Sequence, residues 1–130
     1  MRADVKPRPP APSAHHVDLA VEVFRMLSDA TRVRLLWALL DGEMPVNDLA
    51  AAVGKPATGV SQHLAKLRMA RLVSTRRQGN QIFYRVANDH VRQLVEDAIF
   101  QAEHAMEGVP DHHRLDGAAD AREADPAVDG

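Results

Sequence analysis

Residues 45–70 read PVNDLAAAVGKPATGVSQHLAKLRMA and decide the fold of this 130-residue chain. Apolar side chains recur at helical spacing on both sides of Gly54, and glycine is the residue type that most often follows the end of a helix. The pattern predicts a short helix over residues 45–53 and a second helix over residues 58–70. The spacing within the second helix predicts that Val60, Leu64, Leu67 and Met69 face the core. Because only about four residues separate them, the two helices form a helix-turn-helix.

Two further helices are predicted upstream of this pair. Apolar residues recur at helical spacing from Val17 to Leu27, and Ser28-Asp29 then interrupts the pattern. Asp29 is suited to cap the next helix, because its carboxylate can accept hydrogen bonds from free backbone N–H groups. Residues 33–40 are apolar almost all round, which predicts a well-buried helix that includes Trp37.

A hairpin and a long helix follow the helix-turn-helix. Residues 72–77 and 81–86 resemble strands, and they flank the glycine-containing loop 78–80. Residues 89–106 carry an apolar stripe at helical spacing, with a cap at Asn88 or at the residue after it. The predicted fold is therefore a winged helix-turn-helix, mainly α with a β-hairpin wing (α+β).

Composition sets the limits of the folded domain. Four prolines within residues 1–14 predict a disordered tail over residues 1–15, a folded domain over 16–106 and a flexible tail over 107–130. No apolar run approaches the roughly 18 residues of a membrane span. The N-terminus also lacks the apolar segment of a secretory signal, so we expect a cytoplasmic protein without membrane contacts.

Several classes of function are disfavoured by what the sequence lacks. There is no cysteine, which excludes disulfides, thiolate metal sites and thiol redox chemistry. No glycine-rich phosphate loop and no plausible Ser-His-Asp set is present, so we do not expect an enzyme.

The charges are strongly segregated along the chain. The formal net charge is only −2. Residues 55–85 nevertheless contain seven basic side chains and no acid, whereas residues 86–130 contain three basic side chains and eleven acids. The acid-free block covers the second helix of the helix-turn-helix and the hairpin, which are the elements that this architecture offers to DNA.

A DNA interface is the interpretation that we favour for this block. Glutamine can pair with adenine, and serine, threonine and lysine suit bases or phosphates. Two alternatives are a basic face that is merely solvated and a small interaction module that binds no DNA. The predicted DNA-binding residues are Lys55, Thr58, Ser61, Gln62, His63, Lys66, Arg76, Arg77 and Gln78.

Three stretches carry a family resemblance: LSDATRVRLL at 27–36, GVSQHLAKLRMARLV at 59–73 and GNQIFYRV at 79–86. With them, residues 17–106 resemble the ArsR/SmtB family of bacterial winged-helix repressors. The resemblance implies a homodimer formed through the first and last helices. It also implies binding to an inverted-repeat operator in double-stranded DNA and release of that operator when a metal binds.

The last helix and the tail contain candidate metal ligands. His90 and His104 are 14 residues apart. They fall on nearly one helix face but lie about 21 Å apart along the axis. Metal–nitrogen bonds measure about 2 Å, so one helix cannot hold one ion with both, whereas two antiparallel helices of a dimer can. The predicted ligands are His90, Glu103, His104, His112 and His113.

The donor set favours Ni(II) or Co(II) as the effector. Up to five nitrogen or oxygen donors without sulfur suit a five- or six-coordinate ion, whereas zinc regulation normally uses four ligands. Asn88 and Gln101 stand where zinc sensors of the family carry Asp and His. AEHA at 102–105 and GVPDHHR at 108–114 resemble the actinobacterial nickel- and cobalt-sensing branch. The alternatives are a zinc-responsive repressor and a metal-independent one, and we do not count His15-His16 among the ligands.

Overall fold

The computed structural model describes residues 10–108 and confirms a winged helix-turn-helix. The elements, in chain order, are α1 (Ala14–Met26), α2 (Ala30–Leu39), β1 (Met44–Pro45), α3 (Val46–Val53), α4 (Ala57–Met69), β2 (Val73–Gln78), β3 (Gln81–Val86) and α5 (Asp89–Glu107). The order is the predicted one with a single addition, the two-residue strand β1. The helix-turn-helix is the α3–α4 pair, and β2 and β3 form the wing.

Side-chain caps fix where three of the helices begin. The Ser13 hydroxyl accepts a hydrogen bond from the backbone N–H of His16 at 3.1 Å, so α1 starts two residues before the predicted domain boundary at residue 16. The predicted caps Asp29 and Asn88 are both present. Asp29 caps α2 and Asn88 caps α5, each through a 3.0 Å hydrogen bond from a backbone N–H three residues on.

The sheet has the strand order β1-β3-β2, and both pairings are antiparallel. Gln78 lies opposite Gln81, so the turn contains only Gly79 and Asn80 rather than the three predicted residues. Gly79 has a φ of 63°, a conformation that glycine adopts without steric cost. β1 was not predicted, because a strand of two residues is too short to show an alternating pattern.

The core is built around one face of α2. Leu35, Leu36 and Leu39 are buried there, together with the inward side chains of α3 and α4. Trp37 is 42% exposed, so the prediction that it is buried is wrong. It lies about 200° around the helix from Leu35, on the side away from the three leucines.

On α4, the spacing correctly predicts Val60, Leu64 and Leu67 as core residues, because all three are fully buried. Met69 does not join them and is 85% exposed, again because its position faces away from the buried stripe. The helix therefore has one apolar face toward the core and one face toward solvent.

The first and last helices carry much of the exposed apolar surface. α1 contains no buried residue, and its Val17, Val21 and Phe24 are exposed. On α5, Phe100 and Met106 are exposed as well. Among the helices formed by residues 10–108, none has the length and apolar character that crossing a membrane requires.

We predict that Asn88→Ala lowers the free energy of unfolding by about 1 kcal/mol, because it removes the side chain that caps α5. Urea denaturation of the metal-free full-length chain at fixed concentration measures this change. Asn88→Asp keeps a capping oxygen, so its free energy of unfolding is expected to stay close to that of wild type. The same is expected of Gln101→Ala, a control at an exposed position of α5. If Asn88→Ala were as stable as wild type, the Asn88 cap would contribute nothing to stability.

Candidate functional site

The solvent-facing side of α4 presents most of the polar residues that the sequence predicts to contact DNA. Because Val60, Leu64 and Leu67 occupy the core side of α4, most of the polar side chains in its first three turns point outward. The exposed members are Thr58, Ser61, Gln62 and Lys66. His63 is half-buried and differs from them in having a partner on another helix.

The turn before α4 fixes how this helix leaves α3. Gly54 ends α3 with a φ of 67°, and its backbone N–H and that of Lys55 donate to carbonyls of the last turn of α3. Pro56 then stands at the N-cap of α4, where no donor is needed from its backbone nitrogen. Lys55 is half-buried in this turn and lies two residues before the start of α4.

A polar network joins α4 to the start of α2. The guanidinium of Arg32 lies 3.3 Å from Nδ1 of His63, measured from Nη1, and 3.9 Å from Oδ2 of Asp29. The Nε–H of Arg32 donates to the carbonyl of Met26 at 2.7 Å, at the end of α1. One side chain thus contacts α1, the cap of α2 and the predicted DNA-reading helix.

The network perturbs both of its titratable groups. Burial lowers the pKa of His63 below that of an ordinary histidine. The Asp29 carboxylate opposes that pKa shift, and three cations add to it: Arg32, Lys66 and Lys55. For Asp29, burial would raise the pKa, but hydrogen bonding and charge from Arg32 outweigh it and leave the pKa below the ordinary value.

In the wing, Arg76 is engaged within the protein. Its Nε donates to Glu43 Oε1 at 2.6 Å, its Nη1 donates to Gln78 Oε1 at 2.7 Å, and its guanidinium stacks 4.9 Å above the ring of Phe83. Arg85 also lies 4.0 Å from Glu43. Glu43 therefore partly neutralises two of the wing's basic side chains.

Arg77 lies on the other face of the wing. Successive strand residues point to opposite faces, so Arg77 and its cross-strand neighbour Ile82 face away from Arg76 and Phe83. The Arg77 side chain is exposed, and within residues 10–108 it makes no side-chain hydrogen bond or ion pair. Of the three predicted wing contacts, Arg77 is the one that is not already tied to another residue.

Arg32 and Glu43 are contact residues of α4 and the wing that the sequence does not predict. The spacing of Asp29 and Arg32 was a usable signal, because residues three apart on a helix are neighbours. Nothing in the local sequence marked Glu43, since its contact with Arg76 spans 33 residues and depends on the unpredicted pairing of β1 with β3.

The predicted metal ligands that the structure describes lie at opposite ends of α5. His90 is in its first turn, Glu103 and His104 are in its last turns, and all three side chains are exposed. Glu103 also lines an open groove between α2, α3 and α5, which contains Trp37. His112 and His113 lie outside the described residues.

A single copy of the described chain does not bring these ligands together. Across residues 10–108, no group of three or more His, Asp or Glu side chains could hold a metal ion. α5 nonetheless has a suitable chemistry, because its imidazoles and carboxylates are donors that first-row divalent metals accept. It carries five carboxylates against one arginine, which attracts cations to the helix.

Comparison with known proteins identifies the family. Residues 29–75 match the family described as "Bacterial regulatory protein, arsR family". The chain is 70% identical over 101 residues to the HTH-type transcriptional regulator KmtR of Mycobacterium tuberculosis, with 78% of each protein covered. It is 36% identical over 107 residues to the regulator NmtR of the same species, with 82% of this chain and 89% of NmtR covered.

A solved structure with a similar fold is the homodimeric winged helix-turn-helix DNA-binding domain Mb0332 of Mycobacterium bovis, described as a possible ArsR-family transcriptional regulator. It superposes with a TM-score of 0.70 at 30% identity and covers 74% of this chain and 89% of that domain. These matches agree with the resemblance carried by the three sequence stretches. The chain belongs to the ArsR family of bacterial regulators, which are DNA-binding transcriptional regulators and not enzymes.

Proposed function

We propose that the chain is a metal-responsive repressor that binds an inverted-repeat operator as a homodimer and releases it on binding Ni(II) or Co(II). The observation that carries the proposal is the division of one small domain into two charged surfaces. The acid-free block covers the exposed side of α4 and the wing, whereas α5 places acids and histidines at a separate surface.

On the DNA side, the proposal assigns base reading to the exposed polar side chains of α4. Gln62 can pair with adenine, and Ser61 and Thr58 can bond bases or phosphates. Lys55 and Lys66 are suited to phosphates at either end of the helix. In the wing, Arg77 is free to reach the DNA backbone or minor groove, whereas Arg76 and Gln78 would first have to leave the contacts that hold them.

A homodimer is supported by the apolar surface of α1 and α5. A monomer would leave Val17, Val21 and Phe24 in water, together with Phe100 of α5. Burying such side chains between two copies is favourable by about 25 cal/mol for each Å² removed from water. The similar domain of Mycobacterium bovis is described as homodimeric, which agrees with this reading.

A dimer would bring together candidate metal ligands that lie at opposite ends of a single α5 helix. When two copies of α5 cross antiparallel, His90 of one copy lies near Glu103 and His104 of the other, and two equivalent sites result. His112 and His113 would complete each site from the tail. The bound ion would supply a crosslink between the two helices, and this crosslink favours a dimer shape that no longer matches the operator.

Nickel and cobalt are favoured over zinc by the donor count. A set of up to five nitrogen and oxygen donors exceeds the four that zinc regulation uses. Asn88 is also less suited to a zinc site than the aspartate of the zinc sensors, because its side chain is a neutral amide, and its oxygen already accepts the hydrogen bond that caps α5. The proposal places the protein in the cytoplasm, where the bacterial chromosome lies.

We predict that Glu43→Gln raises the affinity of the metal-free protein for DNA by several-fold at low salt, and less at high salt. The change removes a negative charge that neutralises Arg76 and Arg85, and exposed charges are screened as salt increases. Fluorescence anisotropy over a salt series measures the effect on duplex DNA.

Glu107→Gln is the matched control for this experiment, because it makes the same change in charge at the far end of α5. It is expected to leave DNA affinity close to wild type. Reduced affinity in Glu43→Gln would instead show that Glu43 holds Arg76 in the position that DNA binding needs.

We predict that saturating Ni(II) or Co(II) lowers the affinity of the protein for operator DNA by at least about fivefold. Both ions are expected to act at lower concentrations than Zn(II). The probe is a duplex selected from a random-sequence pool by the metal-free full-length chain. His90→Ala and His104→Ala are expected to abolish the response and keep metal-free affinity, because both side chains are exposed and belong to α5 rather than to α4.

His15→Ala is the control for the removal of an exposed histidine outside the proposed site, and we expect it to respond like wild type. Two results would contradict the proposal. The first is that no metal lowers operator affinity, which would favour a metal-independent repressor. The second is that a variant lacking both His90 and His104 responds normally, which would place the metal elsewhere.

A further inference from the structure

The Arg32 side chain contacts three elements of the domain, namely the end of α1, the cap of α2 and α4. It is only 11% exposed, although it is a charged residue on a half-buried helix face. Its Nε–H donates a hydrogen bond to the carbonyl of Met26, and its Nη1 lies 3.9 Å from the Asp29 carboxylate and 3.3 Å from the imidazole of His63. Guanidinium groups hold several partners in fixed directions, because their donors lie in one rigid plane.

The contact with His63 determines where that imidazole carries its proton. A guanidinium can only donate hydrogen bonds, so Nδ1 of His63, 3.3 Å from Nη1 of Arg32, must be the acceptor. An imidazole whose Nδ1 is an acceptor is neutral and has its proton on Nε2. His63 is thereby held as a hydrogen-bond donor at the edge of the ring opposite Arg32.

His63 belongs to the stretch of α4 that the proposed function assigns to base reading. It directly follows the exposed Ser61 and Gln62 and precedes Lys66 by one turn. Purine N7, guanine O6 and thymine O4 are acceptors in the major groove, and a fixed N–H donor distinguishes them from the amino groups of adenine and cytosine. A neutral donor also contributes to sequence selection rather than to general attraction by phosphates.

We propose that Arg32 is a positioning residue that holds His63 as a neutral Nε2–H donor toward an acceptor on a base edge of the operator. The inference rests on the proposed DNA-binding function and adds a specificity-determining contact to it. Because Arg32 also bonds the end of α1, the same side chain fixes His63 relative to the helix proposed to form the dimer.

Acidification should break this arrangement. A protonated His63 carries N–H groups on both nitrogens, so its Nδ1–H would face the donor of Arg32 and the contact would be lost. The charged groups around the ring are one acid from the start of α2 and three cations from α2, the turn and α4: Asp29, Arg32, Lys55 and Lys66. Burial and these cations lower the pKa of His63, so the neutral form is kept at neutral pH.

The first arm of the test reads the tautomer without DNA. We would record NMR spectra of the histidine ring nitrogens in the metal-free full-length chain at neutral pH. The signals of His63 are those that disappear in His63→Gln. We expect the Nε2–H tautomer in wild type, a mixture in Arg32→Gln and recovery in Arg32→Lys, since lysine is also only a donor. A predominant Nδ1–H form, or the same tautomer in Arg32→Gln, would overturn the proposal.

The second arm measures specificity, as the ratio of affinities for the selected duplex and for a scrambled duplex of equal length. In wild type we expect the ratio to fall on acidification, with a midpoint below the ordinary histidine range. In His63→Gln the ratio should not depend on pH over this range. In Arg32→Gln the ratio at neutral pH should drop about tenfold, which is typical for losing one good base contact.

Circular dichroism and thermal unfolding show whether each variant is folded, and Arg32→Lys tests whether a donor at this position restores specificity. A folded Arg32→Gln protein with the specificity ratio and pH profile of wild type would overturn the proposal. If the wild-type chain selects no duplex over scrambled DNA, the proposed function itself fails, while the NMR arm still decides whether Arg32 fixes the His63 tautomer.

Discussion

Burial of Leu35, Leu36 and Leu39 on one face of α2 holds the surrounding helices and the sheet against a single core. Each side chain is almost fully removed from water, and burying a leucine contributes about 1.5–3 kcal/mol. α2 packs through this face against α3, α4 and α5, and it also contacts β3. The positions of α4, the helix proposed to read DNA, and of α5, which carries the candidate metal ligands, are therefore both defined relative to α2.

Polar contacts at the two ends of α2 add to the packing of its apolar face. At its start, Arg32 bonds the end of α1 and contacts His63 of α4. At its end, the carbonyl of Leu40 accepts a 2.6 Å hydrogen bond from Arg92 of α5. A change in the crossing of two α5 helices would thus be passed to α4 through a rigid, well-packed element. A helix packed in this way can couple metal binding on α5 to DNA binding on α4 in the proposed mechanism.

Local patterns predict much of this arrangement, because they arise from the elements themselves. Helical spacing gives the buried face of α4 and therefore its exposed face, and the caps Asp29 and Asn88 follow from their positions. Trp37 and Met69 are mispredicted, because apolar character alone does not tell which side of a helix meets the core. The contacts of Arg32 with His63 and of Glu43 with Arg76 span 31 and 33 residues, so no local pattern contains them. The proposed metal site needs a second copy of the chain, which one sequence does not show directly.

In the proposed mechanism, metal bound on α5 and operator DNA bound on α4 favour different shapes of the same dimer. Such coupling is reciprocal, so each ligand must change the affinity of the other by the same factor. The most direct test is to measure Ni(II) affinity of the full-length chain alone and when saturated with its selected duplex. We expect DNA to weaken Ni(II) binding by the same factor by which Ni(II) weakens DNA binding. Equal Ni(II) affinity in the two states would contradict it.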